Sequence, residues 1–215
     1  MFLSQVPSTM GIEVLVIADL KPDNAIKACK NVGWSDDLIN KTKFVDTGAD
    51  AIKLNEVEVV IEATGFPAAG IEHARQAFQN GKHIIMVNVE ADVLAGAALA
   101  KEANSVGVVY SMAYGDQPAL TTEIVEWARA SGFNVTSAGK GTRYQPIYHK
   151  SSPDTVWDYY GLTHEEARKA GMNPKMFNSF LDGTKSGLEM AAIANACDLE
   201  VPTNGLLFPP CGMDD

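Results

Sequence analysis

The fold is decided by two stretches of sequence, residues 13–19, EVLVIAD, and residues 57–65, VEVVIEATG. Both are apolar, β-branched runs that close on an acidic or small residue, which is typical of strands buried in a parallel sheet. Helical patterns separate these runs from three similar ones, at 83–88, 108–111 and 133–138. The alternation predicts an α/β fold, a Rossmann-like, doubly wound parallel sheet covered by helices.

The predicted helices between the strands lie at 23–31, 67–80, 91–105 and 117–131. The second is the clearest, because Pro67 stands in its first turn, apolar residues recur at helical spacing and Gly81 follows its end. Residues 34–55 are expected to hold shorter elements, including a short strand at Phe44 and Val45.

The composition of the chain changes at Gly139, where a long stretch rich in Gly, Pro and aromatic residues begins. A capping box from Thr163 to Glu166 predicts the start of a helix. Residues 176–181 fit a strand or a helix, and residues 186–199 predict a helix. We therefore expect a dinucleotide-binding domain over residues 1–138 and part of an α+β catalytic domain over residues 139–215.

A doubly wound nucleotide-binding domain normally opens with a strand and a Gly-rich turn that cradles the pyrophosphate. The opening residues 1–9 instead resemble the end of the helix that follows such a turn, and the C-terminus is abrupt. We expect that the first βα unit is missing and that the sequence is a fragment cut at both ends; a natural variant is the alternative.

Composition excludes several classes of protein. The chain has 215 residues, of which 46% are hydrophobic and 20% charged, which is ordinary for a globular protein and argues against disorder. Its net charge of −10 disfavours nucleic-acid binding. The scattered Cys29, Cys197 and Cys211 suit reduced thiols in the cytoplasm, and no apolar run is long enough for a membrane span.

Small and polar residues follow the predicted strands, at the edge where open α/β sheets bind ligands. Asp19 either binds ribose hydroxyls or is a solvated acid at the end of a strand. Asn88 either brings an amide to the ligand-binding edge, caps the following helix, or does both. The residues proposed for this edge are Asp19, Ala63, Thr64, Gly65, Asn88 and Glu90.

Other polar residues are candidates for binding or converting a substrate. Asp116 either caps a helix or faces a pocket, and Lys140, between two glycines, either reaches a bound anion or carbonyl oxygen or is a surface lysine. Glu189 and Asn195 interrupt an Ala-rich apolar helix, where a buried polar group needs a partner, either structural or a substrate.

Residues 62–93, EATGFPAAGIEHARQAFQNGKHIIMVNVEADV, resemble the homoserine-dehydrogenase-like NAD(P)-binding domain. More narrowly, the sequence resembles the 1-deoxy-D-xylulose 5-phosphate reductoisomerase-like oxidoreductases, which often carry a further SAF-type domain. The motifs that carry this narrower resemblance are VNVEADV at 87–93, GDQP at 115–118, SAGKG at 137–141 and FLDGTKSGLEMAAIANA at 180–196.

The resemblance implies NADPH-dependent reduction or reductoisomerisation of a small carbonyl compound, and we expect an NAD(P)-dependent enzyme. It implies a substrate site formed by Asp116, Lys140, Lys185, Glu189 and Asn195, with Lys140 protonating the developing alkoxide. Asp19 favours NAD over NADP because a carboxylate repels a 2′-phosphate, although Lys21 keeps NADP open. No motif requires a metal, although Asp116 and Glu189 could hold one.

Two alternatives stay open at this point. One is a homoserine or aspartate-type dehydrogenase with an amino-acid substrate, and the other is a nucleotide-sensing module without turnover. In each case we expect a small-molecule ligand and no nucleic-acid or membrane partner. A homo-oligomer is compatible with the sequence.

Overall fold

A computed structural model describes residues 2–210 of the chain. These residues pack as two compact units. The first contains the residues up to Ala91 together with Ala98–Ser111, and the second contains Asp92–Ala97 and the residues from Met112 onward. The domain boundary expected at residue 138 therefore lies inside the second unit.

The strands of the described residues form two groups, one of two strands and one of three. Strand β1, Val16–Ala18, pairs in parallel with β2, Lys43–Val45. Strand β3, Val59–Glu62, pairs in parallel with β4, His83–Met86, and β5, Tyr110–Met112, lies on the other side of β4. The α/β fold with parallel strands and flanking helices is as the sequence predicts.

Helices alternate with these strands, as expected from the spacing of apolar residues. After a short helix, α1, and a 3-10 helix at Val6–Ser8, they are α2 to α6 in chain order. Their bounds are Phe2–Gln5 for α1, Pro22–Asn31 for α2, Asp36–Lys41 for α3, Gly48–Ile52 for α4, Pro67–Gln79 for α5 and Val89–Ser105 for α6. Each helix from α3 to α6 begins where the sequence offers a side-chain cap or a proline.

The core of the first unit has two parts. Cys29, Trp34 and Ile39 are buried around β1 and β2, and the Trp34 indole N–H donates to the Leu3 carbonyl at 2.6 Å. Helix α5 packs on β3 and β4. Next to it, the buried Lys82 donates from Nζ to two backbone carbonyls at 2.6 Å, so a charged residue ties the chain before β3 to the start of β4.

The second unit is helical within the described residues from Met112 onward, apart from the end of β5. Its elements are α7, Gln117–Ala130, a 3-10 helix at Pro146–Lys150, α8, Val156–Tyr160, α9, His164–Lys169, α10, Pro174–Leu181, and α11, Thr184–Cys197. The predicted capping box is present at α9, where the Thr163 side chain accepts from the Glu166 N–H and the Glu166 carboxylate accepts from the Thr163 N–H. Residues 176–181, which fitted either a strand or a helix, belong to α10.

The strand predicted over residues 133–138 was wrong. Those residues form no helix or strand, and Val135 and Ala138 pack instead against α7 and α11, around Val125, Ile193 and Cys197. The apolar residues that suggested a strand are thus used for packing, without a neighbouring strand to pair with.

Cys29 and Cys197 are free, buried thiols, and burial raises the pKa of Cys29. Cys211 lies outside the described residues. Among the helices of residues 2–210, none has the length and apolar character needed to cross a membrane.

Candidate active site

The turn after β3 is fixed by a buried carboxylate. Glu62, only 2% exposed, accepts at Oε1 from the Thr64 N–H and from His73 Nδ1, both at 3.3 Å. Burial by itself raises the pKa of Glu62, but contacts with His73, Thr64 and Asn88 outweigh burial and lower it. Residues 63–65 stay exposed on top of this anchor.

Asn88 joins the turn after β3 to the start of α6. Its side-chain carbonyl accepts from the Ala91 N–H at 3.1 Å, and its amide donates to Thr64 Oγ1 at 3.3 Å and to the Phe66 carbonyl at 3.1 Å. Asn88 therefore caps α6, and its buried amide also holds the turn after β3; contact between this amide and a ligand stays a prediction. Gly70 is required beside it, because a Cβ there would lie 2.8 Å from the Asn88 amide nitrogen.

Asp19 lies exposed just after β1. Its Oδ1 accepts from the Lys21 N–H at 2.7 Å, which fixes the carboxylate at the strand end. Glu90 is half-buried in the first turn of α6. Of the residues proposed for this edge, Thr64 and Asn88 are in direct contact with each other.

His73 belongs to this edge and was not singled out from the sequence. It lies on α5, eleven positions after Glu62, and its ring is packed so closely on α4 that a Cβ at Gly48 would clash with Nε2. A single histidine on a helix is usually a packing residue. The feature of the sequence that could have pointed to His73 was Glu62, the acidic residue at the end of the preceding strand.

A separate cavity of about 360 Å³ lies within the second unit. Its charged lining residues are Asp116, Lys140, Lys185 and Glu189. The structure therefore brings together four of the five residues proposed for the substrate site. They come from the start of α7, from the irregular segment after it and from α11.

Lys140 and Glu189 form an ion pair at the wall of this cavity. The Glu189 side chain is buried, with 2% of its surface exposed, whereas 21% of the Lys140 side chain is exposed. Glu189 is held by a helix and Lys140 by residues without regular structure. The pair thus presents a cation to the cavity over a buried carboxylate, an arrangement suited to stabilising negative charge on a bound oxygen.

Asp116 has two roles at once. Its Oδ1 accepts from the Gln117 N–H at 2.9 Å and caps α7, while the residue also lines the cavity. Both interpretations of the sequence, cap and pocket residue, are compatible with this position.

Two aromatic residues, Tyr160 and Phe180, line the cavity beside the charges, and sequence reasoning did not assign them to the site. Both rings contact Phe177, with centroids 5.5 and 5.9 Å apart, and Phe177 lies 5.4 Å from Trp157. Burial, with a smaller contribution from Tyr148, raises the pKa of the Tyr160 hydroxyl. Tyr160 belongs to a group of aromatic residues at 157–160, and such a group more often packs in a core than lines a site.

Asn195, the fifth residue proposed for the substrate site, does not line the cavity. It is exposed, and its amide donates to the Val93 carbonyl at 3.1 Å. The partner that a polar residue on this helix needs is therefore backbone. Within residues 2–210, no cluster of three or more His, Cys, Asp or Glu side chains is arranged to hold a metal ion.

Comparison with known proteins places this cavity in context. Residues 115–215 match the family model described as oxidoreductase DRL, catalytic domain. All the charged residues of the cavity fall inside this match. The family model that matches this part of the chain is that of an oxidoreductase catalytic domain. The chain is also similar to a homoserine dehydrogenase from Thiobacillus denitrificans, with a TM-score of 0.55 and 16% sequence identity over 88% of this chain.

That similarity concerns the fold alone. This chain spans 41% of the length of that dehydrogenase. Among curated proteins, none matches the chain in sequence.

Proposed function

We propose that the chain is an NAD(P)-dependent oxidoreductase that transfers hydride between a nicotinamide and a small carbonyl or hydroxy compound. The observation that carries the proposal is the Lys140–Glu189 ion pair at the wall of a cavity inside the oxidoreductase DRL match. The first unit would bind the dinucleotide and the second unit the substrate.

The residues at the edge of the first unit fit a dinucleotide. Ala63, Thr64 and Gly65 are small and exposed, and a Cβ added at Gly65 would meet nothing within 4 Å, so a ligand can approach the backbone. The exposed Asp19 carboxylate can accept hydrogen bonds from ribose hydroxyls. When bound, the nicotinamide supplies or takes up the hydride.

Lys140 is the residue proposed to handle the proton. In the reductive direction hydride adds to the carbonyl carbon, the C=O π electrons move to oxygen, and the oxygen takes a proton from the Lys140 ammonium group. Solvent then returns a proton to Lys140. Glu189 holds the ammonium group at the cavity wall, and Asp116 can accept hydrogen bonds from substrate hydroxyls. In the oxidative direction the steps reverse.

The finer assignments rest on the sequence. Asp19 favours NAD over NADP, and the motif resemblance favours a reductoisomerase-like reaction over a homoserine or aspartate-type dehydrogenase. A nucleotide-sensing module would bind the dinucleotide without turning over any carbonyl compound.

The cofactor is tested by fluorescence titration of NADH and NADPH against the chain and against Asp19→Asn. We expect preferential NADH binding, and we expect Asp19→Asn to weaken it by about tenfold, the usual effect of losing a charged hydrogen bond. Asp37→Asn, an exposed acid on α3, serves as the matched control. If neither dinucleotide binds, the proposal fails; if NADPH binds better, the Asp19 interpretation fails.

The chemistry is tested by a screen of small hydroxy and oxo compounds, including homoserine, followed by nicotinamide absorbance. Lys140→Ala should lower turnover far more than it lowers dinucleotide affinity. An equal loss of both, or a loss of neither, would remove Lys140 from the chemistry.

A further inference from the structure

The His73 ring joins the end of β3 to the start of α4 within the first unit. Its Nδ1 lies 3.3 Å from Glu62 Oε1. The ring also packs on Gly48, where an added Cβ would lie 2.7 Å from Cε1. Helix α4 packs in turn on β1 and β2, whereas α5, which carries His73, packs on β3 and β4. One imidazole ring thus links the helix that covers β1 and β2 to the carboxylate at the end of β3.

Glu62 is a buried charge that is held mainly from one side. Its side chain is 1% exposed, compared with 20% for His73. The two hydrogen bonds from Thr64 and His73 both reach Oε1, and Oε2 has no hydrogen-bond partner among the described residues. Burial raises the pKa of Glu62, and the contact with His73 is the largest of the contacts that lower it. A buried carboxylate without a counter-ion is costly, and His73 supplies the positive charge when its ring is protonated.

The same carboxylate holds the turn that we propose to receive the dinucleotide. The Thr64 N–H donates to Glu62 Oε1 at 3.3 Å, and Thr64 Oγ1 accepts from the Phe66 N–H and from the Asn88 amide, both at 3.3 Å. A change in how firmly His73 holds Glu62 therefore reaches residues 63–65 through one hydrogen bond. His73 lies behind the carboxylate, so its role is to position the turn.

The remaining charged or titratable side chains of α4, α5, β3 and β4 have partners of their own. They are Asp50 with the Thr47 hydroxyl, Glu72 with the Gln76 amide, Arg75 with Glu102, and His83 with the Val109 N–H. Glu90 adds a carboxylate in the first turn of α6. Between pH 6 and 8, histidine is the side chain in this set that ordinarily changes its charge. His83 begins β4, at the end of the strands opposite to residues 63–65, which leaves His73 as the titrating group beside the turn.

We propose that His73 is a positioning residue that makes dinucleotide binding depend on pH, because protonation of its ring strengthens its bond to Glu62 and fixes the turn at residues 63–65. This inference rests on the proposed function and adds the regulation of the dinucleotide site. A hydrogen bond between two charged groups is stronger than one from a neutral ring, so the affinity should rise as the pH falls from 8 to 6. The expected rise is about fivefold, the effect of the usual net contribution of one hydrogen bond.

The test is fluorescence titration of NADH against the full chain at pH values from 6 to 8, because NADH carries no group that titrates in this range. His73→Asn keeps an amide that can donate to Glu62 in place of Nδ1–H but cannot become charged. This variant should bind NADH as the natural chain does at pH 8, without the rise towards pH 6. His164→Asn, which replaces an exposed histidine at the start of α9, is the matched control and should keep the full pH profile.

Gly48→Ala reaches the same ring from α4. The added methyl group would clash with the ring and displace it from Glu62 without removing its ability to bind a proton, so the pH profile should flatten as it does in His73→Asn. Gly187→Ala, where a methyl group would meet nothing within 4 Å, is the matched control. Circular dichroism checks that each variant folds, and Gly48→Ala decides the outcome should His73→Asn unfold.

A measurement without ligand separates this inference from the proposed function. The NMR chemical shift of the Thr64 amide should follow the titration of the His73 ring in the natural chain and should stay constant in His73→Asn. A Thr64 amide that does not follow His73, an NADH affinity that does not rise towards pH 6, or a rise that persists in His73→Asn overturns the inference. If the Thr64 amide follows His73 but neither NADH nor NADPH binds, the proposed function fails and the link from His73 to the turn is supported.

Discussion

Breaking the Lys140–Glu189 pair from either side should have unequal effects on stability. Glu189 is sealed at 2% exposure, whereas Lys140 retains 21% and can extend its ammonium group towards water. Lys140→Met therefore leaves a buried carboxylate without a counter-ion. Glu189→Gln leaves a lysine ammonium group that water can still solvate.

The magnitudes follow from that asymmetry. Leaving one member of a buried pair uncompensated costs about 3–5 kcal/mol, and we expect Lys140→Met to fall near the lower limit because the pair is partly open. Glu189→Gln should cost about 1 kcal/mol, the usual value of one hydrogen bond. The double variant, Lys140→Met with Glu189→Gln, should be more stable than Lys140→Met alone, since it removes the stranded charge.

Urea unfolding followed by circular dichroism gives the free energy of unfolding for each variant, and the difference of differences gives the coupling. A cost for Glu189→Gln equal to or larger than that for Lys140→Met would refute the reasoning. So would a double variant less stable than Lys140→Met.

Three further changes test the anchors described above. The pKa of Glu62 is lowered in the folded chain, so the ionised carboxylate stabilises the fold at pH values above its ordinary pKa of 4.5. This stabilisation is lost as the pH falls through the pKa of the folded state. The Tm difference between the natural chain and Glu62→Gln should therefore shrink between pH 6 and about pH 3. Gly70→Ala, whose methyl group would lie 2.8 Å from the Asn88 amide, should cost about 1–3 kcal/mol in urea unfolding by overpacking. Asn195→Ala should cost about 1 kcal/mol through the lost bond to the Val93 carbonyl and leave turnover in the screen of hydroxy and oxo compounds unchanged; lowered turnover would support Asn195 at the substrate.

Much of the fold could be predicted because its signals are local. The bounds of α5 follow from Pro67 and helical spacing, and the parallel pairing of β3 with β4 follows from their apolar runs. The strand expected at 133–138 failed because a strand needs a neighbour as well as apolar residues, and local sequence does not reveal whether Val135 will meet a strand or the face of α11.

The candidate site shows the same limit. Lys140 and Glu189 were proposed for the site from residue type and family motifs, but their pairing across 49 positions depends on tertiary packing. Phe180 and Ser186 lie inside the motif at 180–196 but were not proposed for the site, because a phenylalanine or a serine near a helix start is ordinary until a cavity is found beside it. Asn195 was proposed for the site because it interrupts an apolar helix; in the structure its amide donates to the Val93 carbonyl, and a role at the substrate stays a prediction.

The ring contacts behind the cavity have an optical consequence. Tyr160 and Phe180 form its wall, and both touch Phe177, which touches Trp157. Trp157 is 3% exposed, so its emission is that of an indole shielded from water. A ligand that displaces Tyr160 or Phe180 should also move Phe177 and so change the surroundings of Trp157. The fluorescence emission of Trp157 can then report whether the cavity is occupied, without an attached dye.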